Sequence, residues 1–489
     1  MNPLESSMLG LRQAIHDRKT SAREVTQAYL DRIAAHNASL NAYHEVFADE
    51  ALAKADDVDA GRVTGPLAGV PIAIKDNLCT TFGHTTCSSK MLEQFRAPYT
   101  ATAVEKLEAA GAVILGKTNM DEFAMGSSSE HVPWGPVRNP WDTDRVPGGS
   151  SGGSASAMAA DLCAAAIGSD TGGSIRQPAA YCGVVGFKPT YGRISRYGLV
   201  AFASSLDQIG PITRDVADAA ALFDVMQGRD PRDTTSADVP PAPIAEAIHQ
   251  GAKGLRVGLA KQYITDANEP AVAAAVDNAV AIYKAAGAEI VEVDLPHTSY
   301  GIPTYYIVAT AEASSNLARY DGVHYGHRTA NPKDLVDLYS QSRAEGFGDE
   351  VKLRIMLGAY ALSSGYYDAY YLRALKVRRL IRNDFDAAFA NCDVILCPTT
   401  TGPAFRLGEK TDDPLTMYLN DAYTVNANLA GIPGISLPGG FADGADAAKR
   451  LPVGVQLFSK AFDEATLFRA AHAYEHAAGF THQRPTMAS

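Results

Sequence analysis

No run of 18 apolar residues occurs in this sequence, so no membrane-spanning helix is expected. The most apolar window, 155–169 "ASAMAADLCAAAIGS", is short, rich in small residues and broken by Asp161. The opening "MNPLESSMLGLRQ" lacks the basic stretch and apolar core of a secretory signal. Cysteine is scarce: six in 489 residues do not make a disulfide scaffold. Cys392 and Cys397 have no second pair to complete a zinc site. These shortages fit a reducing cytoplasm and no membrane. Basic residues are outnumbered, 43 against 55 acidic, for a formal charge of −12. That balance disfavours a chain that grips nucleic acid alone, though a basic patch or a partner could do the gripping. Nucleotide motifs are missing too: there is no GxGxxG, and no Gly-Lys-Ser/Thr follows a glycine-rich loop. None of the 12 histidines sits in a recognisable catalytic motif, and the HxxH pair His324/His327 reads as wet surface.

What is present is an ordinary globular composition, 46% hydrophobic and 20% charged. At about 150 residues per domain the length suggests two to three domains, and one large α/β unit is also allowed. Residues 1–60 read as helices. Ser21 and Glu24 make a capping box, and Val25, Ala28, Tyr29 and Ile33 share one apolar face. Beyond them, short buried-strand runs (Val70–Ile74, Val113–Leu115, Leu255–Ala260, Ile290–Val293, Val394–Leu396, Val453–Phe458) alternate with helical stretches at 101–110, 154–165, 270–286, 373–389 and 463–477. This alternation predicts an α/β fold, a sheet covered by helices on both faces. The stretch 228–243, "GRDPRDTTSADVPPAP", has no hydrophobic period and reads as an exposed linker. It separates a region at 65–225 from the remainder at 250–489.

Three segments carry chemistry. In "GVPIAIKDN" (69–77) an apolar run ends on Lys75. A lysine there either reaches water with its head or is buried at a cost. The segment "PGGSSGGSASAMAA" (147–160) is either a flexible linker or a catalytic loop, and its helix-forming tail argues against the linker. In "GSDTGGSIRQPAA" (168–180), Gly172 and Gly173 free the backbone to aim amides at one point beside Ser174. That suits oxyanion stabilisation, but a turn with a helix-capping serine fits as well. Were Ser174 a nucleophile, Lys75 would be the strongest alternative to a histidine base. At an ordinary pKa of about 10.4 only about one lysine in a thousand is neutral near neutral pH. Burial lowers that pKa, so a lysine in a crowded site can accept a proton.

Taken together in this order and spacing, Lys75, "GGSSGGS" (148–154) and "GSDTGGSIRQPAA" resemble the amidase signature family. The resemblance implies Ser174 as nucleophile, Ser150 as bridging serine after a cis peptide bond, and Lys75 as base. It implies backbone amides around Thr171, Gly172 and Gly173 as oxyanion donors, with that of Ser174 possible. It further implies one large amidase-signature domain spanning 1–489 around a mixed β-sheet. Segments 116–130, 305–326, 345–371 and 417–438 are similar to one branch, the glutamine-hydrolysing subunits of tRNA-dependent amidotransferases. Within that branch Arg354 is expected to clamp the α-carboxylate of glutamine, Asp421 to hold its α-ammonium, and Tyr305 to add a hydroxyl contact. On sequence alone Arg354 reads as a helix-surface residue and Asp421 as a cap or turn. Asn426 departs from the proline common at its position, which bears on the shape of the adjacent pocket wall. The branch implies B and C partner subunits, with ATP and magnesium at the partner, which would bind mischarged Glu-tRNA(Gln) or Asp-tRNA(Asn) and receive the ammonia. No cofactor or metal is expected in this chain. The rival readings are a stand-alone amidase for other small amides and a non-catalytic glycine-rich binding protein.

Overall fold

A computed structural model describes residues 2–241, 244–411, 414–443, 449–480 and 483–487. Its centre is one mixed 11-stranded sheet. In chain order the strands are β1 Tyr43–Val46, β2 Pro71–Lys75, β3 Val113–Thr118, β4 Ala165–Asp170, β5 Val185–Lys188, β6 Gln208–Thr213, β7 Arg256–Ala260, β8 Glu289–Val293, β9 Val394–Pro398, β10 Gly434–Asp443 and β11 Arg450–Ser459. Across the sheet they run β1-β3-β2-β4-β6-β5-β10-β11-β9-β7-β8. β3, β2 and β4 are parallel neighbours, as are β9, β7 and β8, and antiparallel pairs join these groups. Every residue of β2, β3, β4, β5, β6 and β9 is buried. A strand buried at each position has both faces covered, so helices lie on both sides of the sheet.

The six predicted strands all form, and four of the five predicted helices keep their bounds to within a residue or two. The helix expected at 154–165 is shorter. It spans Gly152–Ala159, and Asp161 then takes a left-handed φ of 56°, which an α-helix cannot continue through. The alanines that follow open central strand β4, so their helix propensity yields to the sheet. The Ser21–Glu24 capping box is present at the head of helix Ala22–Leu40. The stretch 228–241 lies along the surface, tied down by buried Asp230, which accepts hydrogen bonds from Thr102 and Ser195. Residues 242 and 243 of that stretch fall outside the described residues.

Two helices outside the sheet matter for the site, Gly301–Asn316 and Asp349–Leu362. They cross at Gly358, where an added Cβ would collide with the Thr310 carbonyl oxygen. Glycine is therefore what lets them approach. Gly358→Leu is expected to push the pair apart and cost about 1–3 kcal/mol, as overpacking does. Urea unfolding checks this, and an unchanged midpoint would contradict the close approach.

Candidate active site

Lys75 ends β2, and the loop after its parallel neighbour β4 carries Ser174. The site thus lies at the carboxyl ends of adjacent parallel strands, where α/β sheets commonly hold ligands. Ser150 and Ser151 lead into helix Gly152–Ala159, whose small residues let it pack, entirely buried, against the sheet. The Gly149–Ser150 peptide bond is cis. The backbone N–H of Ser151 donates to the Ser174 carbonyl at 3.1 Å and locks the two loops side by side.

The Lys75 amine is fully buried. It lies 2.8 Å from Ser150 Oγ, 2.9 Å from Ser151 Oγ, 2.9 Å from Ser169 Oγ and 3.3 Å from the Ser169 carbonyl. No carboxylate is within hydrogen-bonding reach of it among the described residues. Burial lowers its pKa to about 7, against the more distant pull of Asp121, Asp170 and Asp207. Half-neutral near physiological pH, the amine can accept a proton from a hydroxyl. Ser174 is 6% exposed, whereas Ser150 and Ser151 are completely enclosed. An incoming substrate meets Ser174 first. No histidine hydrogen-bonds these serines among the described residues.

Asp170, the last residue of β4, shapes the Ser174 loop. Its carboxylate accepts the backbone N–H of Gly173 at 2.8 Å and of Ile175 at 3.2 Å, and two guanidinium contacts from Arg176 at 3.1 and 3.2 Å. Arg176 also donates to Asn428 Oδ1 and to the Thr424 carbonyl. Burial pushes Asp170 up, but Arg176 and Lys188 outweigh it and hold the carboxyl at about 2. The expected oxyanion set changes accordingly. The Gly173 amide is committed to Asp170, which leaves those of Thr171, Gly172 and Ser174. Gly173 has φ +143°, and a side chain there would strike Thr424. A Cβ on Gly172 would lie 2.8 Å from the Tyr305 hydroxyl, so Tyr305 stands directly over the loop.

Tyr305, Arg354 and Asp421 gather on that side, and all three are buried. Arg354 is not a surface residue: its guanidinium lies 5.7, 5.3 and 5.5 Å from the rings of Phe202, Tyr306 and Tyr418, and its Nε donates to Glu350 at 2.7 Å. Asp421 accepts from Ser127 Oγ at 2.6 Å. Burial raises its pKa to about 7, while Ser127 and Arg354 pull it down. Ser127 leads back to the Ser150 loop: its carbonyl accepts from Gln177 Nε2 at 2.8 Å, and Gln177 Oε1 accepts the Gly149 N–H at 2.9 Å. Asn426 is buried and donates to the Thr298 carbonyl at 3.3 Å. It packs on Gly301, the first residue of the Tyr305 helix, so the departure at this position does touch the pocket wall.

Sequence reasoning did not single out Ser151, Ser169, Asp170, Arg176, Ser127 or Gln177. The signal for Asp170 was available, an acidic side chain three residues before a glycine amide and six before an arginine. Ser127 and Gln177 had none, because their partners are far along the chain.

With this Lys–Ser–Ser arrangement in view, comparison with known proteins defines the class. The amidase family model matches residues 24–468, and the chain belongs to that family. It is 57% identical over 479 residues to the A-type subunit of the glutamyl-tRNA(Gln) amidotransferase of Carboxydothermus hydrogenoformans, covering 97% of this chain and 98% of that protein. Among solved structures it resembles the A-type subunit of the Thermotoga maritima glutamyl-tRNA(Gln) amidotransferase, at 39% identity and a TM-score of 0.82 over 100% and 99% of the two chains. It also resembles the peptide amidase of Stenotrophomonas maltophilia, at 34% identity and a TM-score of 0.84 over 99% of each.

The Asp170–Arg176 pair makes a stability prediction. Asp170 titrates below the ordinary carboxylate value of about 3.9. Its stabilising contribution is therefore complete above about pH 4 and lost as pH falls toward 2. Arg176→Met leaves the carboxylate buried without its cation and is expected to cost about 3–5 kcal/mol at neutral pH. Its acid-unfolding midpoint should move to higher pH. Circular dichroism during acid titration reads this, and coincident curves would refute it.

Proposed function

We propose that this chain is the glutamine-hydrolysing subunit of a tRNA-dependent amidotransferase. The observation that carries the reading is the placement of Arg354 and Asp421, a buried cation and a buried carboxyl, on the Tyr305 side of the Ser174 loop. Free glutamine is a zwitterion, and a pocket that selects it wants one group of each sign. Arg354 takes the α-carboxylate, Asp421 the α-ammonium, and Tyr305 adds a hydroxyl contact. The side-chain amide then reaches Ser174.

In this reading neutral Lys75 accepts the Ser150 proton as Ser150 accepts that of Ser174, and Ser174 Oγ attacks the amide carbon. The oxyanion rests on the amides of Thr171, Gly172 and Ser174. The proton returns through Ser150 to the departing nitrogen, ammonia leaves, and water cleaves the γ-glutamyl ester to glutamate. The ammonia passes to partner B and C subunits. With ATP and magnesium bound at the partner, these convert Glu-tRNA(Gln), Asp-tRNA(Asn) or both. That division suits an acidic cytoplasmic chain without a nucleotide motif. The close similarity to two amidotransferase subunits supports it.

Ser174→Ala is expected to lose at least about 10³-fold in glutamine turnover, and Lys75→Ala about 10²–10⁴-fold. Arg354→Leu should lose about 10²–10³-fold in kcat/KM for glutamine while sparing a simple amide. Equal losses on both substrates, or none on glutamine, would point instead to a stand-alone amidase.

The two groups near 7 separate by substrate. Turnover of a simple amide should rise as pH climbs through about 7 and Lys75 loses its proton. The glutamine KM should worsen below about 7 as Asp421 gains one. Asp421→Asn should raise that KM and abolish its pH dependence. Steady-state kinetics from pH 5.5 to 9 measure both limbs.

A further inference from the structure

The helix Asp349–Leu362 has two unlike faces. Inward, Val351, Arg354, Gly358 and Ala361 are buried against the Tyr305 helix and the pocket. Outward, Leu353, Met356, Leu357 and Tyr360 keep the spacing of an amphipathic core stripe but face solvent, Met356 at 71% and Tyr360 at 50% exposure. The surface continues past the helix. The exposed rings of Tyr366 and Tyr370 gather on Tyr360 at centroid distances of 4.4 and 6.2 Å. Between Leu353 and Leu372 the charged residues are Arg354, which is buried, and Asp368. Monomers rarely expose contiguous apolar surface of this kind, and tyrosine and methionine are enriched in interface cores.

On the side of the following helix the edge of the surface is basic, whereas at the other end exposed Asp349 pairs with Lys352. Helix Arg373–Ala388 turns Arg373, Lys376 and Arg379 to solvent, and none has an ion-pair partner among the described residues. An apolar centre with a cationic edge complements an apolar surface edged with carboxylates. Arg354 lies on the inner face of the same helix, so a protein docked outside would sit against the wall of the pocket that releases ammonia. A second copy of this chain would match the apolar centre but bring three more cations to it.

The geometry points to this outer face as the docking surface for the ammonia-using partner, presenting an apolar segment flanked by Asp or Glu. The inference rests on the amidotransferase reading. To test it, the full chain is co-expressed with the B and C subunits of the same genome, and association is followed by size exclusion and by titration. Wild type should co-elute. Met356→Asp and Tyr360→Asp should weaken association about tenfold to hundredfold. Arg373→Glu with Lys376→Glu, on exposed side chains, should weaken it about tenfold and reduce its salt dependence. Melting temperatures should stay at the wild-type value. Wild type and variants binding alike would overturn the docking surface and leave the amidotransferase reading standing. Wild type failing to bind would overturn both. Variants that only dissolve a homodimer would assign the face to a second copy instead.

Discussion

The site depends on one buried amine with no carboxylate beside it among the described residues. An unpaired ammonium in a protein interior costs several kcal/mol, and a protein relieves that cost by pairing the charge or by releasing the proton. Two lysines in neighbouring strands face this choice. Lys117 on β3 is buried with Asp76 Oδ1 at 3.6 Å, an ion pair. Lys75 on β2 meets three serine hydroxyls and a carbonyl, with its nearest negative charges further off. Hydroxyls satisfy an amine in either protonation state, since they can donate or accept. The proton is held loosely, and the group is left able to take another from Ser150. A low pKa alone would not make a base. Lys188 also falls to about 7 on burial, yet it donates to the carbonyls of Pro189 and Ile432, which have no proton to give. The hydroxyl neighbours, more than the shift, set Lys75 apart.

Bringing those hydroxyls to one point constrains the surrounding chain. Ser169 arrives on β4, and Ser150 and Ser151 arrive on the loop before a helix of small residues. The loop that follows β4 must turn back over the amine. Asp170 makes it turn by collecting the amides of Gly173 and Ile175 while Arg176 supplies the compensating charge. One ion pair therefore folds the loop and settles which amides remain for a substrate oxygen. The glycines answer to the outside: Gly172 leaves room for Tyr305 and Gly173 for Thr424, so the residues over the loop touch its backbone directly.

Much of this was legible in the sequence where it is local. Strands such as β2, β3 and β9 are short apolar runs because both their faces are covered, and such runs read clearly. β1, β4, β5, β6 and β10 did not. Half of β4 and of β10 is alanine, glycine or proline, which point to helix or turn until a sheet is in place to accept them, and β1, β5 and β6 are short stretches interrupted by polar residues or glycine. The Lys–Ser–Ser set could be read because Lys75 at the end of an apolar run and two glycine- and serine-rich segments follow one another in the order and spacing of the amidase signature. Arg354 and Asp421 could not be read from their neighbours. A charged residue on a helix is usually solvated, and Arg354 becomes a buried cation only because Phe202, Tyr306 and Tyr418, distant in sequence, close around it.

That split follows the architecture. Lys75 and the serines around it sit at strand ends of the sheet and the loops that follow, between residues 65 and 225, where the strands are buried on both faces. The groups proposed to select glutamine lie on helices beyond residue 300, packed against the loop from outside. Folds of this kind host different activities by changing the parts that cover a constant centre. A structure of the same overall fold, with a TM-score of 0.84, carries the name of a peptide amidase, so likeness of fold alone does not name the substrate. In the proposed reading the distinction comes from side chains of the covering layer, which brings buried Arg354 and Asp421 close to buried Tyr305. Asn426, at the base of the tyrosine helix, belongs to the same layer. Its side chain touches Gly301 at the head of that helix and makes no hydrogen bond to Lys75 or to the serines around it among the described residues.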